Sequence, residues 1–371
     1  MRILQLGKFF PIRGGVEKVM LDITKGLSEK GIPCDMLCAS FEKSPGIKEI
    51  NLNGHGKVIV IPSIFKAAGT MIAPRMISWL RKHAREYDLI HIHHPDPMAG
   101  IALRLSGFKG RVILHWHSDI ISQKFFLFFY KPIQNWLINR AERIVGTTPV
   151  YVADSPALSK VQNKTSFVPI GIQPLISDPA ETKKIKSPYI CKIIVFSLGR
   201  LVEYKGFEYL IEAARYLPED YQVIIGGTGP LKDALQKKID DLGLKEKVNL
   251  LGFVDDKDVP SWFSAADVFV LSSVMKTEAF GIVQIEAMSV GTPVVATRIP
   301  GSGVSWVNKE GVSGLNVEPR DPEALAKAIL AITKDEIVHK SFGEGARSRF
   351  EEMFRKELMI TELENIYEKR I

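Results

Sequence analysis

Two glutamates bracket a Phe-Gly pair in the segment TEAFGIVQIEAM, with seven residues between them. The strand-like run DVFVLSS precedes the segment and helix-compatible residues begin near Ile282, so Glu278 is predicted in a loop and Glu286 about one turn into a helix. A helix N-terminus beside a glycine offers free N–H groups to an anion, and ionised carboxylates accept hydrogen bonds from hydroxyls. The pattern predicts a phosphate site at Phe280, Gly281 and Ile282 flanked by two acceptors for polyol groups. Alternatively, both glutamates are ordinary helix-start residues favoured by the helix dipole.

A second candidate element is SLGRLVEYKGFEYL, which places Arg200 and Lys205 just after a strand-like run. A guanidinium can contact two phosphate oxygens at once, while an ammonium acts as a compact point charge. Glycines beside the two cations, at Gly199 and Gly206, would let backbone come close to a ligand. These residues suit a phosphate, although two surface cations with no ligand would show the same pattern.

Glycines also follow two other strand-like runs. Gly14 and Gly15 stand between the first strand and its helix in GKFFPIRGGVEK, where they could admit a ligand or simply form a tight turn. Gly227 and Gly229 in IGGTGPLKDAL end a later strand and are expected to line a nucleotide. The spacing is not that of a GxGxxG fingerprint, so a dinucleotide site is not predicted.

Histidines end two strand-like runs in the first half of the chain. In LHWHSD, His115 and His117 point to the same side of a strand, and His117 lies nearer the strand's end. An imidazole there could bind a sugar hydroxyl or assist proton movement. The run HIHH adds three more imidazoles at His91, His93 and His94. Histidine clusters can bind zinc, but these stand on separate strands without an acidic partner, so no metal site is predicted.

The run DDKD, Asp255 to Asp258, contains an Asp-x-Asp triplet, which holds a divalent metal in some sugar-transferring enzymes. It precedes VPSWFSAAD, which reads as a short helix. Because Asp is a favoured residue at helix starts, we interpret the run as a helix cap rather than a metal site.

Strand-like and helix-like runs alternate along the chain, which predicts parallel sheets covered by helices on both faces. The alternation lapses over residues 171–187, which are rich in Pro and Lys and read as a linker. We therefore predict an α/β protein with two doubly wound, Rossmann-like domains, 1–170 and 188–350, facing a central cleft with the functional residues at strand ends. The segment SRFEEMFRKELMITELENIYEKRI predicts one long amphipathic helix.

Composition narrows the class of protein. The 371 residues suit two domains, and 46% hydrophobic with 25% charged residues is typical of a folded globular chain. Three cysteines without a CxxC pair favour a reducing, cytoplasmic location, and we expect neither a signal peptide nor a membrane-spanning helix. Residues 1–170 carry a net charge of +11 and the remainder −4. The first half is therefore expected to meet an acidic surface or an anionic substrate, unless it is merely a solvated basic face.

Taken together, the chain resembles the family 4 glycosyltransferases, which have the two-domain GT-B architecture. The resemblance covers nearly the full length. Four features carry it: the Glu-x7-Glu signature at Glu278 and Glu286, the phosphate-binding pair at Arg200 and Lys205, the first-loop glycines Gly14 and Gly15, and the active-site histidine His117. Ala279 stands where many members have glycine after the first glutamate, which bears only on fine placement of the donor.

The resemblance implies retaining transfer of a sugar from a UDP- or GDP-linked donor to an acceptor hydroxyl, without a metal or other cofactor. It implies that Glu286 binds the ribose, that Glu278 contacts the donor sugar, and that the C-terminal helix, residues 351–371, packs back on an acceptor-binding first domain. Catalytic roles are expected for His117, Arg200, Lys205 and Glu278. Donor contacts are expected from Gly14, Gly15, Arg200, Lys205, Gly227, Gly229, Val254, Glu278, Phe280, Gly281, Ile282 and Glu286.

The acceptor is indicated only by two basic, aromatic segments. SQKFFLFFYKPIQNWLINRAER and MIAPRMISWLRKHAR combine aromatic with basic residues, which suits an interfacial helix on anionic lipid or, equally, a domain core. A lipid-linked or glycan acceptor at the inner face of the cytoplasmic membrane, as in bacterial surface polysaccharide assembly, would fit the first interpretation. A nucleotide-sugar epimerase and a non-catalytic nucleotide-sugar-binding scaffold at the membrane remain alternatives. No nucleic-acid partner is expected, because the basic half lacks a recognised module.

Overall fold

The computed structural model describes residues 1–42, 46–67, 69–120 and 124–369, without the side chains of residues 124–127 and 129. The chain divides into two compact units. Unit 1 comprises Met1–Gly171 and Lys356–Ile371, and unit 2 comprises Ile172–Arg355. Each unit is built around its own predominantly parallel sheet.

Unit 1 contains an eight-stranded sheet and a separate two-stranded hairpin. Its strands are β1 (Ile3–Phe10), β2 (Cys34–Ser40), β3 (Lys48–Asn53), β4 (Gly56–Ile61), β5 (Phe65–Ala67), β6 (Thr70–Ile72), β7 (Leu89–His94), β8 (Arg111–Trp116), β9 (Arg143–Gly146) and β10 (Thr165–Phe167). The large sheet has the order β10-β9-β8-β7-β1-β2-β4-β3, and β5 pairs with β6. Only β3 is antiparallel to its neighbour in the large sheet, and it alternates between exposed and half-buried positions as an edge strand does.

Helices cover both faces of this sheet. They are α1 (Gly15–Glu29), α2 (Arg75–His83), α3 (Pro97–Ser106), α4 (Lys124–Arg140) and α5 (Pro149–Asp154). The start of α3 shows how the sequence sets a boundary: Asp96 accepts a hydrogen bond from Ala99 N at 3.1 Å, and Pro97 occupies the first helical position. Gly107, with φ of 73°, ends the same helix.

Unit 2 contains a six-stranded, wholly parallel sheet. Its strands are β11 (Ile193–Leu198), β12 (Tyr221–Gly226), β13 (Val248–Gly252), β14 (Val268–Leu271), β15 (Val294–Thr297) and β16 (Gly314–Val317). They lie in the order β13-β12-β11-β14-β15-β16. The chain therefore leaves β11 in one direction and returns to place β14 on its other side, which makes the β11/β14 boundary the topological switch point of the sheet.

The helices of unit 2 are α6 (Pro179–Lys186), α7 (Phe207–Ala213), α8 (Lys232–Asp241), α9 (Val259–Ala265), α10 (Ile282–Ser289), α11 (Val304–Val307), α12 (Pro322–Thr333) and α13 (Glu336–Met353). The apolar faces of α7, α8 and α12 pack with β11, β12 and β14 in one buried core. Together the two sheets give the doubly wound α/β architecture that the alternation of elements predicts.

The interpretation of residues 171–187 as a bare linker is wrong. All but the first of these residues lie in unit 2, and α6 forms within them. Asp178 begins that helix by accepting a hydrogen bond from Ala180 N at 2.8 Å, with Pro179 next to it. Pro179 lies in the first turn of α6 and the lysines lie in its last turn, so this composition belongs to a helix and not to an irregular connection.

The C-terminal segment forms two helices, not one. Helix α13 ends at Met353, and α14 (Lys356–Glu368) belongs to unit 1. At the break, Phe354 is fully buried in unit 2 and its carbonyl accepts a hydrogen bond from Ile172 N at 2.9 Å. Tertiary contacts of Phe354 and Arg355 therefore end a helix in a sequence that has neither glycine nor proline there. No helix among the described residues is both long and apolar enough to cross a bilayer.

Candidate functional site

The loops that follow β11 and β14 carry most of the predicted site of unit 2. Parallel strands end at the same edge of a sheet, so the loops after two neighbouring strands meet. Arg200 and Lys205 lie after β11, while Glu278 and the start of α10 lie after β14. The structure thus brings together, at the switch point, residues separated by more than 70 positions in the sequence.

Within the first loop, Arg200 and Lys205 have different surroundings. Arg200 is exposed, whereas Lys205 is 9% exposed at the end of a short 3-10 turn, Glu203–Lys205. Gly206 turns the chain with φ of +63°, and a Cβ there would lie 2.3 Å from Ser272 O. A side chain at position 206 would separate the two loops, so glycine is required for Lys205 to reach the second loop.

Lys205 and Glu278 form a buried ion pair. The ammonium Nζ lies 2.5 Å from Glu278 Oε2, which also accepts a hydrogen bond from Ser273 Oγ at 3.0 Å. Burial lowers the pKa of Lys205, but the charge and hydrogen bond of Glu278 together with Tyr204 hold that pKa above its ordinary value. Glu278 is therefore already occupied by a cation from the neighbouring loop, a pairing that the sequence analysis did not predict.

The backbone around Glu278 is held by a third loop. Ser302 Oγ donates to Glu278 O at 2.5 Å, and Gly303 N donates to Ala279 O at 2.9 Å. Both Ser302 and Gly303 come after β15, the strand next to β14. Ser273 and Ser302 were not predicted as site residues, because serines near strand ends are too common to stand out.

The N-terminus of α10 is formed as expected. Gly281 has φ of 76°, in the left-handed region, and the first backbone bond of the helix runs from Gln284 N to Gly281 O at 2.9 Å. The N–H groups of Ile282 and Val283 precede that bond, so they belong to the free donors of a helix start. Phe280 is buried, and its carbonyl accepts from Gln284 Nε2 at 3.0 Å. Its side chain anchors the loop rather than contacting solvent.

Glu286 lies one turn into α10, where its side chain is half-buried. Ile282, at the first turn of the same helix, is half-buried as well. Glu286 follows Ile282 by four positions, so the two side chains project from the same side of the helix. This places a carboxylate along the face that begins with the free N–H groups.

The glycines after β12 are explained by packing within unit 2. A Cβ on Gly227 would lie 1.8 Å from Gly199 O, and one on Gly229 would lie 2.4 Å from Leu201 O. Leu201 N also donates to the carbonyl of Thr228 at 2.9 Å. These glycines therefore let the loop after β12 lie directly against the loop that carries Arg200 and Lys205.

Val254, one of the expected donor contacts, follows β13 and lies against the same edge. One of its methyl groups is 2.8 Å from the position that a Cβ on Gly226 would take. Its neighbour Phe253 has 76% of its surface exposed. The predicted donor-binding positions of unit 2 thus all fall at the carboxyl edge of one sheet.

The aspartates of DDKD do not cap α9 through their side chains as expected. Asp258 occupies the N-cap position of α9 without a side-chain cap hydrogen bond. Asp255 instead accepts from Lys257 N at 3.1 Å, and its carbonyl accepts from Asp258 N at 2.9 Å. The run forms an Asx turn before the helix.

In unit 1, Gly14 and Gly15 stand at the start of α1 and are exposed. A Cβ on Gly14 would lie 2.6 Å from Oε2 of Glu17, whose side chain folds back over the first turn. Glu17 is 5% exposed, and burial raises the pKa of its carboxyl. Gly14 leaves room for the Glu17 carboxylate over the first turn, so the glycine pair does not by itself indicate a ligand.

Four imidazoles stack on one face of the unit 1 sheet, and we call this set the imidazole stack: His91, His93, His115 and His117. The parallel register pairs His93 with His115, so side chains two positions apart on each strand point to the same face. The shared side expected for His115 and His117 is observed, with ring centroids 4.0 Å apart. His94 lies on the opposite face and stacks on Trp116 at 3.8 Å.

Burial keeps every ring of the stack neutral. His117 is 4% exposed although it follows the end of β8, and the other three are 1% exposed or less. Burial lowers the pKa of each ring well below its ordinary value, to about 3 for His115. At neutral pH each imidazole therefore carries one N–H donor and one bare nitrogen acceptor.

The two histidine runs stand on separate strands, as expected, but β7 and β8 are neighbours in the sheet, which brings the rings together. One nitrogen from each of His91, His93 and His115 lies within 4.8 Å of the other two. The planes of His115 and His91 differ by 12°, and those of His115 and His93 by 21°. Lone pairs in nearly parallel planes run side by side instead of converging on one ion, which is poor geometry for tetrahedral coordination.

The two basic, aromatic segments differ in their exposure. In α2 the apolar residues Met76, Trp79 and Leu80 are buried, so that segment contributes to the core of unit 1. In α4, Phe128 has 73% of its surface exposed, and Lys131 is exposed three positions later. The side chains of the other phenylalanines in the segment lie outside the described residues.

Comparison with known families gives two matches that together span most of the chain. Residues 13–174 match the model of Glycosyltransferase Family 4, and residues 180–349 match the model of Glycosyl transferases group 1. The O-antigen chain mannosyltransferase C of Escherichia coli is 30% identical to this chain over 99% of its length and 98% of the relative's.

Solved structures of the same architecture cover the whole chain. Sucrose-phosphate synthase from Thermosynechococcus elongatus superposes with a TM-score of 0.82 at 22% identity, covering 99% of this chain and 98% of that one. HepE of Anabaena, solved in complex with UDP, gives a TM-score of 0.80 at 22% identity, with 99% of each chain covered. The fold of the two units is therefore that of the GT-B glycosyltransferases.

Proposed function

This chain belongs to family 4 of the glycosyltransferases, and on that premise we propose that it is a retaining enzyme that transfers a sugar from a UDP- or GDP-linked donor. The acceptor would be a hydroxyl of a glycan or of a lipid-linked saccharide, in the synthesis of a bacterial surface polysaccharide or glycolipid. The role of the E. coli relative in O-antigen chains supports this acceptor class.

The observation that carries the proposal is the Lys205–Glu278 pair beside the N-terminus of α10. At the switch point of unit 2, the structure places an ammonium, the exposed Arg200 and the free N–H groups of a helix start on neighbouring loops. This set of donors suits the two phosphates of a nucleotide diphosphate. The UDP bound by HepE, a protein of the same fold, agrees with that ligand class.

Lys205 would exchange partners when the donor binds. In the structure its ammonium is neutralised by Glu278 at 2.5 Å. A diphosphate near Lys205 would compete for the same cation, and Glu278 would then be free to accept a hydrogen bond from a sugar hydroxyl. In this account the two glutamates serve hydroxyls, with Glu286 on the ribose, and the cations serve the phosphates.

The difficult step is cleavage of the bond between the anomeric carbon and the diphosphate. Negative charge grows on the leaving oxygen, and fixed cations and N–H groups stabilise it without reorganising, which is worth roughly 10²–10³ in rate for a single donor. We propose attack by the acceptor hydroxyl from the same face, with the departing phosphate taking the hydroxyl proton. The cations Arg200 and Lys205 would take the place that a divalent metal has in other transferases, so no metal or other cofactor would be required.

The decisive experiment is a transfer assay with purified protein and a panel of UDP- and GDP-sugars. Thermal shift with the same panel first selects the donor, because a ligand bound only by the folded state raises the melting temperature. Nucleotide release that depends on an added acceptor would support the transferase. Release of sugar epimer without nucleotide would indicate the epimerase, and donor binding without turnover would indicate the scaffold.

Metal independence has its own test. The same assay is run after dialysis against EDTA and again after addition of Mg²⁺ or Mn²⁺. We expect the rate to change by less than about twofold, because fixed cations provide the charge stabilisation. A rate that vanishes with EDTA and returns with metal would contradict this part of the proposal.

We further propose peripheral contact with anionic lipid on the cytoplasmic face of the membrane. Phe128 and Lys131, three positions apart on α4, are both exposed and so project from the same side of that helix. An exposed aromatic beside a cation suits the interface of an anionic bilayer. Flotation with phosphatidylglycerol vesicles at low salt should recover the protein with the lipid, and Phe128→Ser should reduce recovery. No recovery of the wild type at low salt would end this part of the proposal.

A further inference from the structure

A continuous chain of hydrogen bonds links His117 to the C-terminal helix of unit 1. His117 Nε2 lies 2.8 Å from His93 Nδ1, and His93 Nε2 lies 2.8 Å from Gln5 Oε1. Gln5 Nε2 lies 3.4 Å from the hydroxyl of Tyr367, which lies 2.6 Å from His91 Nδ1. The five side chains come from β1, β7, α14 and the end of β8, and all are buried.

The direction of donation follows from the chemistry of Gln5. Its Oε1 can only accept, so His93 Nε2 carries a hydrogen, and its Nε2 can only donate, so the Tyr367 oxygen accepts. The Tyr367 hydroxyl then donates its own hydrogen to His91 Nδ1. Each of the three inner groups, His93, Gln5 and Tyr367, accepts from one neighbour and donates to the next, an arrangement in which successive hydrogen bonds polarise one another.

This direction sets the protonation of His117. A neutral His93 with hydrogen on Nε2 has a bare Nδ1, which can only accept. His117 Nε2 must therefore be the donor across the 2.8 Å contact, and its second nitrogen, Nδ1, is left as an acceptor. His117 Nδ1 is buried and makes no hydrogen bond to any of the described residues.

We infer that Gln5, His93 and Tyr367 are positioning residues that fix His117 as its Nε2–H tautomer, so that Nδ1 is presented as a hydrogen-bond acceptor to a hydroxyl of the substrate. The substrate part of this inference rests on the proposed function, whereas the tautomer is a property of unit 1 itself. A bare nitrogen accepts from a hydroxyl, but an N–H at the same place could only donate. The network thus decides which partner His117 can serve.

The same contacts argue against a metal in the imidazole stack. Both nitrogens of His93 are already hydrogen-bonded, one to Gln5 and one to His117. Coordination of His93 would require its hydrogen bond to one of them to break. His115, by contrast, has two buried nitrogens without a partner among the described residues and makes only ring-stacking contacts.

The test reads the tautomer directly. Long-range ¹H–¹⁵N correlation spectra of full-length protein labelled on histidine distinguish a protonated from a bare ring nitrogen, and His117→Asn identifies the signals of that ring. In the wild type we expect hydrogen on Nε2 and none on Nδ1 of His117. Hydrogen on Nδ1 would overturn the inference.

Two substitutions at one position separate the network from simple packing. Gln5→Leu removes the acceptor of His93, so His93 is free to reverse and His117 should show both tautomers. Gln5→Glu restores the pattern, because a buried carboxyl stays protonated and then has one acceptor and one donor as the amide does. The expected spectrum of Gln5→Glu is that of the wild type. An unchanged His117 tautomer in Gln5→Leu would refute a positioning role for Gln5.

A second variant covers the possibility that Gln5→Leu does not fold. Tyr367→Phe removes only the hydroxyl, and its matched control is Tyr87→Phe, which removes another buried hydroxyl of unit 1 that donates to Asp35 at 2.8 Å. Tyr367→Phe should release the fixed tautomer of His91, and Tyr87→Phe should leave it unchanged. Equal spectra of the two variants at His91 would overturn the assignment.

Transfer activity and metal titration complete the test. Because mixing two tautomers only lowers the competent fraction, Gln5→Leu should reduce kcat/KM by about two- to tenfold and Gln5→Glu by less. If no transfer is found while the spectra behave as expected, the proposed function fails and the tautomer assignment stands. Stoichiometric Zn²⁺ that shifts the nitrogen signals of His91, His93 and His115 would overturn the network in favour of a metal site.

Discussion

The two units place different chemistry at the carboxyl edges of similar sheets. Unit 1 buries neutral imidazoles that stack and share hydrogen bonds, whereas unit 2 buries an ammonium and a carboxylate 2.5 Å apart. The imidazoles are buried in their neutral form, which avoids the cost of burying a charge. Lys205 and Glu278 are buried in their charged forms, because each neutralises the other. Burial therefore selects uncharged acceptors in one unit and is offset by charge pairing in the other.

The largest expected difference between the two units is in how their free energies of unfolding change as the pH falls. Of the eight histidines in the chain, seven lie in unit 1 and five of these are buried. Burial lowers the pKa of those five below the ~6.5 of an unfolded chain, so below that pH the unfolded state binds protons that folded unit 1 does not. Each such histidine lowers the free energy of unfolding by about 1.4 kcal/mol per pH unit as the pH falls.

Three buried or half-buried carboxyls of unit 1 act in the opposite direction, because burial raises their pKa: Glu17, Asp22 and Asp96. They are fewer than the histidines, so we expect unit 1 to unfold at a higher pH than unit 2. Hydrogen exchange resolved by peptide, between pH 7 and pH 5, measures each unit separately. Earlier loss of protection in unit 2 would contradict the assignment of neutral imidazoles.

The next largest effect is expected from Lys205→Ala, on turnover. If Lys205 stabilises the leaving diphosphate as proposed, its loss should reduce kcat by roughly 10²–10³. Lys247→Ala is the matched control: Lys247 is also a buried lysine of unit 2, bonded to Leu217 O and Glu219 instead. Both variants lose stability, so rates are compared per folded molecule. Wild-type nucleotide release by Lys205→Ala would remove Lys205 from the mechanism.

A smaller effect is expected from Glu286→Gln, on donor binding. If Glu286 accepts from the ribose, replacing the carboxylate by an amide turns a charge-assisted hydrogen bond into a neutral one. The difference is about 1–1.5 kcal/mol, or roughly five- to tenfold in Kd. Calorimetric titration with the free nucleotide measures it. Glu323→Gln, on the exposed first turn of α12, serves as the control. Equal affinity of the two variants would assign Glu286 to the structure of α10 alone.

The smallest effect is expected from Ser302→Ala. Its side chain is almost completely buried, and its hydroxyl donates to Glu278 O and accepts from Val304 N at 3.2 Å. The variant removes both hydrogen bonds. We expect the free energy of unfolding to fall by about 1 kcal/mol, with a modest loss of kcat as the Glu278 loop loosens. Urea unfolding and the transfer assay measure the two effects. A stability loss without any change in kcat would show that Ser302 supports the loop only structurally.

Elements with a strong periodic pattern were predictable. The buried strands around the switch point read as continuous apolar runs, and the helices between them showed one apolar face. Strand β3 was not predicted, because its alternating pattern, KEINLN, is short and exposed. Strand β16, GLNV, was missed because four residues carry too little pattern. The break before α14 could not be predicted from the neighbouring residues either, because burial of Phe354 in unit 2 causes it.

The types of the residues were enough to choose candidates for the site, but not to predict which of them contact one another. Arg200, Lys205, Glu278 and the Phe-Gly of α10 were chosen because their types suit a phosphate and hydroxyls. The pairing of Lys205 with Glu278 and the contact of His93 with His117 were not foreseen. Both join residues on neighbouring strands or loops, and the order of strands in a sheet is not written in any local pattern.

By itself, the sequence determined the ends of most long, strongly periodic strands and helices, because those ends depend on periodicity, glycine, proline and capping side chains within a few positions. Only the tertiary structure decided which strand ends are neighbours. The order of strands brings four histidines together in the imidazole stack and places His94 on the opposite face of the sheet. It also brings Lys205 and Glu278 together as an ion pair. The physical reason is that hydrogen bonds and ion pairs act over a few ångströms, and distances of that size between remote positions are set by the order of strands in the sheet.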